Sequence, residues 1–311
     1  MSAVVRQTIP FRGWLNALRL ANGEAELIAT LDVGPRILSY SRGGGTNVFN
    51  VYEDQAGGVG EAMWRNRGGH RLWLAPEGPD FTYYPDNRPV AWEPLGSNGV
   101  RLTPPPEEGP GFQKQIDLIM AESGARVTVI HRITRIAATP CRAAPWALSV
   151  MAAGGVAVMP QPPLGEHPRD LLPNRRLVVW PYTELADSRY GFGRRFITLR
   201  QDTAGRPTKI GMPSALGWAG YWLRGTMFLK TFSWTPADVY PDDGCNLEVF
   251  TNARMLELES LGPLHNFQPG EQREWTEQWD LRTNLPPLPE TGLAAQDDYF
   301  SACTAGIISH S

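Results

Sequence analysis

The sequence predicts an all-β protein built as one large antiparallel sandwich. Short apolar runs follow one another roughly every 8 to 15 residues, which is the spacing of strands joined by turns. The chain has 32 glycines and 28 prolines among its 311 residues, and both residue types favour turns over continuous helix. Helical periodicity over three or more turns is rare. These three observations favour about a dozen strands or more in one sandwich.

The first strands carry the clearest pattern. WLNALRL and AELIATLDV both alternate apolar and polar residues, and Asn22-Gly23 separates them. Asn and Gly accept the positive φ that a tight hairpin turn requires. PRILSYS follows as a third strand, so the chain is expected to begin with a meander.

The rest of the chain continues in the same way. Further predicted strands are VRLTPP, GFQKQIDLIMA, ARVTVIHRITRI, WALSVMA, GVAVMP, RRLVVWPY, RFITLRQD, GYWLRG, MFLKTFSW, NLEVFTN, RMLELESL and EWTEQWDL. Weak helical patterns cover residues 55–63 and 293–305. The proline-rich LPPLPET segment predicts that the sandwich domain spans residues 1–288, followed by a tail over 289–311 that can form a short helix.

Composition narrows the class of function. The formal net charge is −3, whereas a nucleic-acid-binding surface usually needs a basic excess. The three cysteines contain no CxxC pair, which argues against a disulfide framework or a cysteine-built zinc site. The first residues lack the basic and apolar segments of a signal peptide, and no run suits a membrane helix. We therefore expect a cytoplasmic protein that binds neither membranes nor nucleic acid.

The stretch GGHRLWLAPE, residues 68–77, carries the densest set of chemical groups. His70 is suited to acid/base work near neutral pH, and Arg71 can donate forked hydrogen bonds to hydroxyls or a carboxylate. Gly68 and Gly69 allow a sharp turn or a close approach of the backbone to a ligand. The alternative is a surface loop with a solvated histidine.

A second histidine lies in RVTVIHRIT. As a strand, this stretch places His131 on one face with Val127, Val129 and Ile133. A histidine on an apolar face is usually a hydrogen-bonded core residue. If the strand ends at a cleft, His131 becomes a second acid/base group or a substrate contact.

The most informative carboxylates lie in MLELESLGP. In a strand, Glu257 and Glu259 share one face and lie about 7 Å apart, opposite the leucines. Such a pair is either solvated or set in a polar groove, where one carboxylate can act as a base. The nearby YPDDGCNLEVFTN adds Asp242, Asp243 and Glu248, but it lacks the ligand spacing of a known calcium loop. No metal or cofactor is therefore expected.

Aromatic residues set among charges suit a sugar, because its C–H faces stack on rings while its hydroxyls need hydrogen bonds. Most aromatic side chains of a large sandwich belong to its core. Those that lie among turns and charges are Trp64, Tyr83, Tyr84, Trp180, Tyr182, Tyr221, Trp222 and Tyr240. The sequence has no GxSxG elbow, P-loop, GxGxxG or HExxH motif.

The series DVGPRILSY, GGHRLWLAPE, NLEVFTN, MLELESLGP, FQPGE and WTEQWDL resembles the galactose mutarotase-like superfamily. The likeness spans roughly residues 14 to 283 and is greatest to a bacterial branch of it, the DUF4380-type family. It implies a β-supersandwich with a sugar-binding groove. It also implies the epimerase reaction, in which a histidine protonates the ring oxygen and a late-strand glutamate removes the anomeric proton. Glu257 and Glu259 both match that glutamate, upstream of Pro269-Gly270-Glu271.

One position departs from this pattern. The epimerases carry their acid histidine in a middle strand, where APWALSV has Trp146 instead. Either His70 or His131 takes over the acid role, with His70 preferred, or the protein does not run this reaction.

The expected ligand is a small carbohydrate, a sugar or sugar acid. We expect its contacts to come from Arg71, Trp73, Glu77, His131, Trp180, Tyr182, Asp187, Arg189 and Glu248. Two alternatives are a non-catalytic carbohydrate-binding or sensing protein, and a glycoside hydrolase or polysaccharide lyase, which needs two carboxylates flanking one bond.

Overall fold

The computed structural model describes residues 4–79 and 81–306. Within them the chain forms two antiparallel sheets that pack face to face, which confirms the predicted all-β sandwich. The strands are β1 Val5–Phe11, β2 Trp14–Ala21, β3 Ala25–Thr30, β4 Ile37–Arg42, β5 Gly69–Ala75, β6 Ala91–Leu95, β7 Gly99–Thr103, β8 Phe112–Met120, β9 Val127–Arg135, β10 Cys141–Met151, β11 Val156–Pro160, β12 Val178–Val179, β13 Tyr190–Phe192, β14 Phe196–Arg200, β15 Thr208–Met212, β16 Trp218–Leu223, β17 Thr226–Phe232, β18 Leu247–Thr251, β19 Leu256–Leu261, β20 His265–Phe267 and β21 Gln272–Arg282.

We name the two layers sheet 1 and sheet 2. Sheet 1 has the order β1-β2-β3-β4-β5-β10-β19-β18-β15-β12, with β20 added beside β10. Sheet 2 has the order β13-β14-β11-β16-β17-β21-β9-β8-β7-β6. The long strand β10 lies at the middle of sheet 1 between β5 and β19, so these three strands form the centre of one outer face.

Alternating burial directs one face of each sheet inward. Along β9 every second residue is buried, because Val127, Val129, His131 and Ile133 face sheet 1 and the residues between them face outward. The interior is dense in aromatic rings: Phe49 of the chain after β4 packs 5.5 Å from Trp279 of β21, and Phe228 of β17 packs 5.7 Å from the same ring. The contact of Phe49 with Trp279 joins the two layers, and that of Phe228 with Trp279 lies within sheet 2.

The predicted hairpin forms between β2 and β3. Of its turn residues, Gly23 has the positive φ, 88°, while Asn22 acts through its side chain. The Asn22 Oδ1 accepts hydrogen bonds from the backbone N–H groups of Glu24 and Ala25, and its Nδ2 donates to Ala121 and Gly124 carbonyls next to sheet 2. The asparagine therefore closes the turn and ties the two sheets together.

Helices are few among the described residues. The helix predicted over 55–63 is wrong: only a short 3-10 turn, Glu53–Gln55, forms there, because Gly57, Gly58 and Gly60 interrupt the segment. A single turn α1 covers Pro241–Gly244 and a longer helix α2 covers Leu293–Thr304. No described helix has the length and apolar character needed to cross a membrane.

Helix α2 packs on the outer face of sheet 2. Its Phe300 is fully buried and lies 6.2 Å from the ring of Phe196 in β14, which in turn packs 5.9 Å from Trp218 in β16. The outer face of sheet 2 is thus partly covered, whereas the centre of the outer face of sheet 1 is open.

Candidate functional site

The stretch GGHRLWLAPE forms the central strand β5 rather than a loop, and all seven residues of that strand are buried. Because successive side chains point to opposite faces, Arg71 and Trp73 lie on the outer face of sheet 1. His70, Leu72 and Leu74 point to the interior. The alternative of a surface loop with a solvated histidine is therefore wrong.

The two glycines before β5 allow a close approach of backbone to backbone, not to a ligand. Gly68 and Gly69 have φ of 89° and 68°. A Cβ on Gly69 would lie 2.4 Å from the carbonyl oxygen of Ile37, and one on Gly68 would lie 2.2 Å from that of Asn50. Both distances are below any normal contact, so these positions require glycine.

Five strands of sheet 1 contribute the floor of the candidate site. Residues that face each other across an antiparallel pair lie on the same face of the sheet, so the register defines rows of neighbouring side chains. The first row is Gly69, Val150, Glu257, Phe250 and Lys209; the second is Arg71, Leu148, Glu259, Glu248 and Gly211; the third is Trp73, Trp146 and Leu261.

Above these rows lies a groove of about 540 Å³. Its lining residues are Trp64, Asn66, Arg71, Trp73, Glu77, Tyr83, Trp146, Leu148, Tyr182, Pro207, Lys209, Phe250, Asn252, Met255 and Glu257. The groove combines six aromatic rings with two cations and two carboxylates. Its volume is in the range of small-molecule sites.

Two cations reach from opposite sides of the floor to the two glutamates of β19. From β5, the Nη2 of Arg71 donates to the Oε1 of Glu257 at 2.8 Å. From β15, the Nζ of Lys209 lies 2.9 Å from the Oε2 of Glu259. Since alternate residues of a strand are about 7 Å apart, two ion pairs lie side by side on the groove floor.

Arg71 is held in place by aromatic rings and has donors to spare. Its guanidinium carbon lies 4.1 Å from the centroid of the Trp73 ring and 5.3 Å from that of Trp64. The side chain is about 2% exposed, yet its Nε and Nη1 have no hydrogen-bond partner. Buried donors without partners are costly, so the groove floor keeps hydrogen-bonding capacity that the described residues leave unused.

Lys209 sits between two carboxylates and two indole rings. Its Nζ lies 2.6 Å from the Oε2 of Glu248 as well as 2.9 Å from Glu259, and 4.7 Å from the ring centroids of both Trp146 and Trp180. Burial alone would lower the pKa of Lys209, but attraction to the two carboxylates outweighs it and raises that pKa well above its usual value. Lys209 therefore carries its proton at neutral pH.

The two glutamates that hold Lys209 are fully buried and directly opposed across β18 and β19. Opposed like charges destabilise a sheet unless a cation lies between them. Burial raises the pKa of Glu248 well above its usual value, and it raises that of Glu259 against the opposing effect of Lys209. The Nε1 of Trp146 donates to the Oε2 of Glu259 at 2.8 Å, so Trp146 supports a carboxylate where the resemblance led us to expect a histidine.

Glu248 does not line the groove, because the ring of Trp180 packs over its strand. Gly211 makes this possible: a Cβ there would lie 3.2 Å from Trp180 and 3.1 Å from the Glu248 side chain. Trp180 therefore covers Glu248, and the expectation that Glu248 contacts a ligand directly is wrong, whereas Lys209 lines the groove.

The rim carries the rings that are open to solvent. Tyr182 is 50% exposed and Tyr83 is 40% exposed, whereas Trp73 is nearly buried beneath Arg71 and its aromatic neighbours. Tyr83 donates its hydroxyl to exposed Glu77, and burial raises the pKa of Tyr182 to about 12. The tyrosines, more than Trp73 or Trp180, are thus available to stack on a sugar.

Neither predicted acid histidine reaches the groove. His70 and His131 are fully buried between the sheets, and their Nε2 atoms lie 2.7 Å apart. The placement of His70 at the groove is wrong because the alternation of β5 points its ring inward. His131 is a hydrogen-bonded core residue, as its position on an apolar strand face predicted.

The hydrogen bonds of the two histidines determine which nitrogens carry protons. The Nδ1 of His131 must donate to the carbonyl of Trp275, at 2.9 Å, so its Nε2 accepts from His70. The Nδ1 of His70 then accepts from the hydroxyl of Ser149 at 2.9 Å. Burial lowers the pKa of both histidines, which agrees with two neutral rings.

Glu277 lies beside the histidines, and the three side chains have potential metal-binding atoms within 4.8 Å of one another. Those atoms are already engaged. Glu277 accepts from Lys230 at 2.8 Å, from the Ser260 hydroxyl and from the Trp279 indole at 2.7 Å. The cluster is therefore a hydrogen-bonded bridge between the sheets.

Asp187 and Arg189 also lie away from the groove. They form a forked ion pair with each other, and the Nη2 of Arg189 donates to the carbonyl of Arg206 at 2.6 Å. They fix the segment beside β13 and β14, so the expectation that they hold a ligand hydroxyl or carboxylate is wrong.

The site residue that sequence reasoning missed is Lys209. The stretch TKIGM places a lysine among buried residues of a strand, which is rare unless an acidic partner is present. That pattern indicated a buried ion pair, but it gave no means of identifying Glu248 and Glu259 as the partners.

The two antiparallel sheets match the β-sandwich fold of solved galactose mutarotase-like proteins. Three solved structures illustrate the likeness. The Slr1438 protein from Synechocystis sp. PCC 6803 has a TM-score of 0.59 at 11% identity, over 91% of this chain and 96% of that chain. A galactose mutarotase-like protein from Lactobacillus casei ATCC 334 has a TM-score of 0.59 at 10% identity, over 86% and 100%.

A galactose mutarotase-like protein from Clostridium acetobutylicum has a TM-score of 0.56 at 9% identity, over 90% and 99% of the two chains. No protein-family model and no curated protein matches the sequence. Identities this low show a shared fold.

Proposed function

We propose that the groove of sheet 1 binds a single aldose ring and interconverts its anomers by acid/base chemistry. The observation that carries the proposal is the Arg71–Glu257 pair on the groove floor, since it offers unsatisfied donors next to a carboxylate. Sugar hydroxyls both donate and accept hydrogen bonds, so they match this pair. The exposed rings of Tyr83 and Tyr182 offer surfaces for the C–H faces of the sugar.

Of the two candidate bases, Glu257 fits better than Glu259. Glu257 lines the groove, and its Oε2 makes no hydrogen bond to any described residue. Glu259 is fully buried and holds Lys209 and Trp146. In the proposed reaction Glu257 removes the proton of the anomeric hydroxyl, while Arg71 orients the carboxylate through its hydrogen bond to Oε1.

The ion pairs also bear on the choice of sugar. Arg71 faces Glu257 and Lys209 faces Glu259, so each groove cation is already matched by a carboxylate. A neutral aldose therefore suits the groove better than a phosphorylated or carboxylated sugar.

The test is anomer exchange, followed by NMR across a panel of hexoses, pentoses and uronic acids. The wild-type protein should accelerate exchange of at least one neutral aldose over buffer. Glu257→Gln keeps an acceptor for Arg71 but lacks the base, so its rate should fall about 100-fold or more. Glu274→Gln, on the outer face of sheet 2 beside Arg132, is the matched control and should keep the wild-type rate.

A second candidate function is sugar binding without turnover. It is favoured by one observation: none of the described residues that line the groove is a histidine. Binding of an aldose by calorimetry, together with exchange rates equal to buffer for every sugar, would reject mutarotation and support this candidate.

Two finer parts of the sequence interpretation belong to the same proposal. They are a cytoplasmic location, where free aldoses are metabolised, and membership of the DUF4380-type branch. The matches support neither directly, since they show only the fold.

A further inference from the structure

Anomer exchange needs a proton donor at the ring oxygen, and the groove offers few. Arginine does not give up its proton in proteins. The hydroxyl of Tyr83 is already donated to Glu77. Tyr182 lies on the rim and is half exposed. The remaining cationic donor that lines the groove is Lys209.

The position of Lys209 complements that of Glu257. Both lie in the first row of the floor, with Phe250 between them, so their Cα atoms are about 10 Å apart, two interstrand spacings. Lys209 extends across β18 to reach Glu259 on the strand of Glu257. Its ammonium therefore lies beside Glu259, two residues along β19 from the base, so both groups face the same part of the groove.

The contacts of Lys209 leave one donor for the ligand. An ammonium has three N–H bonds, whereas only two carboxylates, those of Glu248 and Glu259, lie next to the Lys209 Nζ, at 2.6 and 2.9 Å. The indoles of Trp146 and Trp180 confine the side chain. A catalytic donor needs such a fixed geometry.

We propose that Lys209 is the acid of the reaction, donating its third N–H proton to the ring oxygen of the sugar; this rests on the function proposed above. Glu257 takes the proton of the anomeric hydroxyl, the C1–O1 bond becomes a carbonyl, and the bond from C1 to the ring oxygen breaks. Its electron pair goes to the ring oxygen, which takes the proton of Lys209. After rotation about C1–C2, the ring oxygen attacks the other face of C1 and both protons return to their donors.

Chemical rescue tests this role. Lys209→Ala should lower kcat for anomer exchange about 100-fold or more, the usual contribution of a general acid, with KM changed less than about threefold. Added methylammonium should restore part of the rate, because it carries N–H donors into the space between the two indoles. Tetramethylammonium has the charge but no N–H bond and should restore nothing.

Two further variants keep the result interpretable. Lys114→Met removes another buried lysine, paired with Glu107 at 2.8 Å outside the groove, and should keep the wild-type kcat. If Lys209→Ala does not fold, the double variant Lys209→Met, Glu259→Gln removes one charge of each sign and should show the same loss of kcat.

The outcomes separate the two proposals. Wild-type exchange together with an unchanged kcat in Lys209→Ala or in the double variant would overturn the role of Lys209 and leave the proposed function standing. Equal rescue by both ammonium ions would assign Lys209 a charge-balancing role and also overturn proton donation. No exchange by the wild-type protein would overturn the proposed function itself.

Discussion

At the scale of single residues, the direction of a side chain decides its chemistry. His70 and Arg71 are neighbours in the chain, yet one lies in the interior and the other on the groove floor. The alternation that separates them is visible in HRLWL, since His70 is on the same face of the strand as Leu72 and Leu74. A strand assignment for this stretch would have excluded a site that uses both residues.

The buried histidine pair predicts a stability that depends on pH. Burial lowers the pKa of His70 and His131 below the usual value of about 6.5. Below that pH the unfolded chain binds protons that the folded protein does not, so the free energy of unfolding falls as the pH falls. Below pH 6.5 the free energy of unfolding should fall by up to about 1.4 kcal/mol per pH unit for each histidine. Above pH 6.5 the stabilisation by the two neutral rings is fully present.

Urea unfolding between pH 5 and 8 measures this effect. His70→Gln can still accept from Ser149 and donate to His131, and it should reduce the slope of stability against pH. Exposed His167→Gln is the control and should keep the wild-type slope. An identical slope in His70→Gln and the wild-type protein would contradict the prediction.

At the scale of elements, β5 depends on the glycines that precede it. The backbone of Gly69 touches the carbonyl of Ile37 in β4 so closely that no side chain fits. This contact sets where β5 begins. It therefore determines the position of Arg71 and Trp73 along the strand, and so where their side chains lie in the groove floor.

Gly69→Ala should lower the free energy of unfolding by more than the strain of an alanine at positive φ alone would. The matched control is Gly43→Ala, whose φ of 60° resembles the 68° of Gly69 but whose Cβ would meet nothing within 4 Å. We expect a loss of about 1 kcal/mol for Gly43→Ala and of about 3 kcal/mol or more for Gly69→Ala. Equal losses in urea unfolding would show that the contact with Ile37 relaxes freely.

How far the sequence predicts these elements depends on local patterns. The β2–β3 hairpin is predictable because alternation and Asn22-Gly23 lie side by side in the chain. Strand β5 is missed because Gly68, Gly69 and Pro76 bracket it like a loop. The Lys209 cluster is missed for a different reason: its partners Glu248 and Glu259 come from two other strands, and only the register brings them together.

At the scale of the whole molecule, the outer faces of the two sheets differ in what covers them. The centre of sheet 1 is open and carries the groove, whereas α2 covers an apolar cluster on sheet 2 that includes Phe196, Trp218 and Phe300. Stability contributed by α2 is therefore separate from the groove, because the full thickness of the sandwich lies between them.

Phe300→Ala should lower the free energy of unfolding by about 3–5 kcal/mol, the usual cost of removing a buried phenyl ring. Anomer exchange by the folded fraction should be unchanged. Phe192→Ala, whose ring is 43% exposed, is the control and should cost about 1 kcal/mol or less. A change in KM for the sugar in Phe300→Ala would show that the two faces are coupled.

The opposite placement of α2 and the groove has a practical consequence for surface attachment. Helix α2 ends at Thr304 on the outer face of sheet 2, so a tether joined to the chain after this helix emerges on the side away from sheet 1. Protein immobilised through such a tether presents the groove to the solution, and a sugar can enter without passing the support.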